Sequence, residues 1–145
     1  MSAATPILVK RMLERGTDGA VPVQVDRHTL QKRRWRAVAE DGTEVAVALS
    51  QPVVDGDFLD AGARAFRVVQ EPEEVVVITL PEASEMAAKI GWYLGNRHIP
   101  VEVRDDEIVV EAFPTLTDSL KRIGIGYELR TDVLRCGAHS SGHRH

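Results

Sequence analysis

Along the first half of the chain, apolar and polar residues alternate in short runs. Val21, Val23 and Val25 alternate around Pro22 and Gln24, and a proline there suits a strand start or a sheet edge. Residues 35–39 and 44–49 flank Asp41-Gly42, a hairpin signal. Ile7 with Val9, Phe58-Leu59 after Asp55-Gly56-Asp57, and Phe66 with Val68 predict further short strands. No helical period stands out in this stretch. The pattern predicts an all-β small barrel or sandwich over residues 1–72, closed by the polar, proline-broken Gln70-Glu71-Pro72-Glu73-Glu74.

The second half changes period. Val75-Val76-Val77-Ile78-Thr79-Leu80 reads as a strand buried on both faces. Ala83, Met86, Ala87, Ile90 and Leu94 recur at three- and four-residue spacing, a helix led in by Pro81, Glu82 and Glu85. Gly95, with Asn96 next best, suits the left-handed residue that closes such a helix. His98 then falls on a sharp connection near the helix's carbonyl-rich end. Ile99, Val101 and Val103 alternate as a strand, Asp105-Asp106 turns the chain, and residues 108–112 return. Thr115, with Asp118 three residues on, predicts the cap of a second helix. Its apolar stripe is Leu116, Leu120 and Ile123; Lys121 and Arg122 occupy its last turn, and Gly124 ends it. Ile125, Tyr127 and Leu129 form the last strand. The βαββαβ order predicts a ferredoxin-like domain over residues 73–131. The expected fold class is α+β, with residues 132–145 as a tail.

Composition narrows the function. The 145 residues are 43% hydrophobic and 28% charged, enough to bury a core, and the 5% aromatic content leaves that core to Val, Ile, Leu and Ala. A net charge of -4 argues against nucleic acid or an anionic membrane as partner. No run reaches transmembrane length and no leader pattern opens the chain, so a cytoplasmic protein is expected. Cys136, the single cysteine, allows no intrachain disulfide. Residues 32–36 place Trp35 among Lys32, Arg33, Arg34 and Arg36. Such a patch could stack single-stranded bases, but an acidic chain favours an exposed strand start whose charges deter edge pairing. Gly124-Ile125-Gly126 lacks the third glycine of a dinucleotide fingerprint and leads into a strand. With no P-loop, HExxH or serine elbow either, no catalytic constellation is present and an enzyme is not expected.

Of the five histidines, His139, His143 and His145 lie in the last seven residues, just beyond Cys136. Imidazole and thiolate are ligands for nickel, copper and zinc, so the tail is either a metal-binding segment or a polar end without function. His28, beside Asp26 and Arg27, reads as a surface histidine. His98 alone cannot hold a transition ion tightly, because such sites need several ligands. A twofold dimer with His98 near its axis would bring two copies together. Each residue beyond 131 adds up to about 3.3–3.6 Å, so the tail could complete the site.

Trp92-Tyr93-Leu94-Gly95-Asn96-Arg97-His98-Ile99-Pro100-Val101 resembles the signature of the UreE family, nickel metallochaperones of urease maturation. Asp41-Gly42-Thr43-Glu44-Val45 and Thr117-Asp118-Ser119-Leu120 are weaker echoes, and the histidine-bearing tail fits as well. The resemblance implies a homodimer that carries Ni(II) as cargo, with His98 of both subunits at the interface. His139, His143 and His145 are the further ligands expected from the tail, and Cys136, an oddity beside the family pattern, is either a soft ligand or an intersubunit disulfide. Zn(II) or Cu(II) can substitute in vitro, and copper should bind more tightly than nickel. The implied partners are the urease maturation GTPase, the other urease accessory proteins and apo-urease, with the N-terminal domain as a protein-contact module. Two departures stand out. The tail is short, which suits about one ion per dimer better than storage, and Glu111-Ala112-Phe113 carries no histidine where some relatives do. The alternative is a protein-binding adaptor with a ferredoxin-like domain and no metal.

Overall fold

The computed structural model describes residues 5–136 as a mixed α+β protein. The chain divides into two compact units, Met1–Glu71 and Pro72–His145. No described helix is long and apolar enough to cross a membrane.

The first unit contains β1 (Ile7–Val9), β2 (Arg11–Met12), β3 (Val21–Val25), α1 (Arg27–Leu30), β4 (Arg34–Val38), β5 (Glu44–Ala48), β6 (Phe58–Asp60) and β7 (Ala65–Gln70). They form two sheets, β1-β5-β4 and β2-β6-β7-β3, linked by a bridge between Val23 and Ala39. Val9, Val23, Val45, Leu59, Phe66 and Val68 alternate inward and share one core, each fully buried. The β4–β5 hairpin forms at Asp41-Gly42, where Gly42 takes φ +89° and Asp41 accepts the Thr43 N–H at 3.0 Å. The short helix α1 is not visible in the alternation pattern. Asp26 starts it, accepting from the Thr29 N–H at 3.0 Å and the Thr29 hydroxyl at 2.7 Å.

The second unit runs β8 (Glu73–Thr79), α2 (Ser84–Asn96), β9 (Val101–Val103), β10 (Glu107–Glu111), α3 (Pro114–Ile123) and β11 (Glu128–Asp132). Its strands form one antiparallel sheet in the order β11-β8-β10-β9. Val76, Ile78, Ile108 and Val110 meet Ile90 and Leu94 of α2 and Leu116 and Leu120 of α3. Both helices therefore cover the same face. The opposite face presents Val75, Val77 and Val109, and Leu134 closes over them, itself fully buried. Burial on both sides explains why β8 reads as an unbroken apolar run.

Several local expectations change, and the last strand is one: it is Glu128–Asp132, and Ile125 and Tyr127 pack against the core before it begins. Ala83 and Met86 are exposed and Ala87 is only half-buried, so the buried positions of α2 are Ile90 and Leu94. Thr115 lies inside α3, whose N-cap is Phe113 with Pro114 starting the helix; Pro's missing N–H costs nothing at that position. Ile123 is 48% exposed, and Ser119 takes a buried place beside Leu116 and Leu120.

Leu134 contacts the sheet after the last strand has ended and is fully buried there, so its removal should leave a cavity over Val75, Val77 and Val109. Leu134→Ala is expected to destabilise this unit by about 2–4 kcal/mol. Amide exchange of β8 and β10 during urea titration checks this; protection unchanged from wild type would contradict it.

Candidate functional site

The end of α2 is built by a hydrogen-bond pattern that fixes His98. The His98 N–H donates to the Gly95 carbonyl at 2.9 Å and the Ile99 N–H donates to the Leu94 carbonyl at 3.2 Å. This is the paired closure that requires a left-handed residue between helix and exit. That residue is His98, with φ +59°, the one non-glycine with positive φ among the described residues. Gly95, expected in that role, remains within the helix.

The end of α3 repeats the arrangement. The Gly124 N–H donates to Lys121 at 3.2 Å, the Ile125 N–H donates to Leu120 at 2.9 Å, and Gly124 takes φ +79°. Leu94 and Ile99 at one end match Leu120 and Ile125 at the other, and all four pack into the same core. The sole difference in kind is the left-handed residue, glycine in one case and histidine in the other. A side chain in that region costs about 1 kcal/mol relative to glycine. His98 is exposed, so no core contact of its own offsets this.

The surroundings leave the imidazole accessible. Arg97, its neighbour, is drawn back along the helix: its guanidinium donates to the Tyr93 hydroxyl at 3.1 Å and lies 5.4 Å from that ring's centre. Ala88, Trp92 and Gly95, with half-buried Gly91 beside them, form one stripe of α2 at three- and four-residue spacing. Trp92 is 69% exposed, and a Cβ added at Gly91 or Gly95 would meet nothing within 4 Å. Each glycine weakens the helix by about 0.8–1 kcal/mol relative to alanine, and nothing within this unit requires either.

Cys136, the second expected ligand, is half-buried and packs against the open-face cluster of Val75, Val77, Val109 and Leu134. The chain is held there by Glu102 and Arg104. Arg104 donates to Asp132 at 2.9 Å, to the Val133 carbonyl at 3.1 Å and to Glu102 at 3.0 Å. Glu102 also accepts the Arg135 N–H at 2.7 Å. Partial burial pushes the Glu102 carboxyl up, but the hydrogen bonds from Arg104 and Arg135 outweigh it and hold it below the usual carboxylate range. The Arg104 hydrogen bond, followed by the Val133 N–H, holds Asp132 low as well. The charged residues of β9 and β11 are ordinary in sequence, and no local pattern there announces that they converge on residues 133–135. His139, His143 and His145 lie outside the described residues.

The remaining candidates belong to the first unit. His28 is an exposed residue of α1. Trp35 is only 7% exposed and belongs to the first unit's core, so it offers no face for a base to stack on.

Comparison with known proteins adds the family. Residues 73–145 match the family described as UreE urease accessory protein, C-terminal domain. The urease accessory protein UreE of Paraburkholderia xenovorans (strain LB400) is 34% identical over 97% of this chain and 60% of its own length. The protein of the same name from Cupriavidus necator is 35% identical over 79% of this chain and 62% of its own length. That of Burkholderia thailandensis is 37% identical over 79% and 55%. The chain thus spans little more than half the length of these curated relatives.

Two outcomes follow from the geometry. His98→Gly should stabilise the fold by about 0.5–1 kcal/mol, because glycine takes the left-handed conformation freely; a lower urea midpoint would contradict this. Glu102 and Asp132 have depressed folded pKa values, so their contribution is present above the unfolded values of about 4 and is lost as pH falls through the folded ones. Protection of the Arg135 amide, corrected for the intrinsic exchange rate, should hold from neutral pH down to about 4 and decline only below it. Loss already at pH 6 would contradict that assignment.

Proposed function

This chain belongs to the UreE family of urease accessory proteins, and from that membership we propose that it binds Ni(II) as cargo and delivers it to apo-urease during active-site assembly. The observation that carries the reading is His98. An exposed imidazole occupies a backbone position where glycine would be more stable, and α3 has glycine at the matching point. A side chain kept at a cost to the fold, with no packing role, is explained by what it binds.

One imidazole is too few for a tight nickel site, so the reading requires a second copy. The stripe of Ala88, Gly91, Trp92 and Gly95 on the helix that ends at His98 supports a homodimer. Glycines without a use inside the unit permit close approach by another helix, and an exposed tryptophan supplies apolar area. In the dimer, the two His98 imidazoles provide the central ligands and His139, His143 and His145, with Cys136, complete the shell. A shell assembled from two subunits and a chain end exchanges ligands stepwise, which allows capture and release without a large barrier. Zn(II) or Cu(II) would occupy the same donors in vitro.

The wider reading follows the family. The first unit is a small β-sandwich that contacts proteins, residues 73–131 form a ferredoxin-like metal-binding domain, and residues 132–145 form the tail. Its partners are the urease maturation GTPase and the other accessory proteins, in the cytoplasm.

Calorimetric titration with Ni(II), on protein of confirmed dimer mass, tests the proposal. Wild type should bind about one tight ion per dimer, and His98→Ala should lose that site while still folding. Equal stoichiometry and affinity in the variant would refute it. Trp92→Glu should shift the protein to monomer in sedimentation and lose the tight site with the dimer; a stable Trp92→Glu dimer would rule out this stripe as the interface.

A further inference from the structure

In the β1-β5-β4 sheet of the first unit, the register sets Leu8, Ala46 and Arg36 in one row across the three strands. Arg34 with Ala48 forms the row on one side, and Val38 with Glu44 the row on the other. Val9, Val45, Val47 and Trp35, next to them along the strands, are buried in the unit's core, so alternation turns these rows outward. Leu8 is 53% and Val38 63% exposed, and Arg34 and Arg36 are exposed as well.

The charge on this face is uneven. Four of the residues 32–36 are cations, on a chain whose net charge is -4. Arg34 and Arg36 stand on the face itself, and Lys32 and Arg33, exposed just before β4, extend the positive charge at one end. Glu44 is the sole acid in the three strands; its contact with Arg36 is 3.6 Å long and leaves that arginine 70% exposed. Lys32, Arg33 and Arg34 form no ion pair among the described residues. A single charge can blunt a strand edge. Four together, beside exposed Leu8 and Val38, complement a partner that is both anionic and apolar. Between Leu8 and Arg36 the face is open: the two strand spacings span about 10 Å, and Ala46 and Ala48 leave that width clear.

We propose that this face docks an acidic segment of a partner protein, its carboxylates on Arg34 and Arg36 and its apolar side chains over Ala46, against Leu8 and Val38. The proposal rests on the reading of the first unit as a protein-contact module and names the face and the chemistry it selects. A protein segment fits better than nucleic acid, because the patch's one aromatic, Trp35, is turned into the core and leaves the bases no stacking platform.

The test is binding of the full chain to apo-urease assembled with its accessory proteins, measured by interferometry over a salt series. A glutamate–leucine copolymer, a single-stranded oligonucleotide and phosphatidylserine vesicles serve as competitors at equal charge. Binding by wild type should weaken as salt rises. The double substitution Arg34→Gln with Arg36→Gln should weaken it about tenfold and flatten the salt dependence. Ala46→Tyr obstructs the open width with a better strand residue; it should weaken binding without lowering the urea midpoint. The copolymer should compete better than the oligonucleotide or the vesicles. Unchanged affinity in both variants, with wild type bound, overturns the proposal and leaves the protein-contact reading standing. So does an oligonucleotide or vesicle that competes better than the copolymer. If the double variant loses binding only because it aggregates in sedimentation, the arginines protect a strand edge and the proposal falls too. Failure of wild type to bind the assembly overturns both.

Discussion

The left-handed backbone at His98 is the constraint on which the C-terminal unit's functional end depends. The helix must stop where Leu94 enters the core, and the chain must reverse so that Ile99 enters it too. Both demands are met by the same pair of hydrogen bonds that closes α3, and both require positive φ at the residue between. That residue is then pushed out to solvent with its direction fixed by the backbone. A turn chosen for core packing therefore also sets the direction in which its side chain leaves the backbone. At α3 nothing is presented, and glycine serves. At α2 the family chain carries histidine, and in the proposed carrier that histidine is the ligand.

The sheet beneath supplies rigidity from both sides. Val76, Ile78, Ile108 and Val110 hold the helices, while Val75, Val77 and Val109 are closed by Leu134. An antiparallel sheet often leaves one face wet. Here a short strap of residues 132–136 dries the centre of that face, and a chain of ion pairs links Glu102, Asp132 and Glu107 through Arg104, and Glu107 and Glu128 through Arg130. These pairs are half-exposed, so their worth lies in fixing the strap's path more than in net stability. The fold thereby fixes the turn at His98 at the end of α2 and the path of residues 132–136 across the opposite face of the sheet.

Much of this was legible in the chain. The Asp41-Gly42 hairpin, the unbroken apolar β8, and the period of Ile90 and Leu94 each announced their element, because each follows from local backbone and burial rules. What failed to show was set by tertiary context. Gly95 looked like the helix stop, yet the core contact at Leu94 and Ile99 places the stop three residues later, on a residue whose type argues against it. Thr115 looked like a cap, but Pro114 had already begun the helix. Asp26 and Thr29 encode α1 in plain view, but four residues are too few to make a helical period. Leu134 and Arg104 carried no local signal at all, since a strap that pairs with a strand some thirty residues earlier leaves no periodicity. The stretch around His98 was nonetheless recognisable, and the family comparison agrees with it.

The central claim is that one nickel ion is shared by two His98 side chains across a twofold axis. Mixed dimers of one wild-type and one His98→Ala protomer, separated by a tag and titrated with Ni(II), test it most directly. Sharing predicts that the mixed dimer binds nickel far more weakly than the wild-type dimer, because one imidazole of the central pair is missing. A mixed dimer that binds a single ion as tightly as wild type would mean that each protomer builds its own site, and would contradict the account.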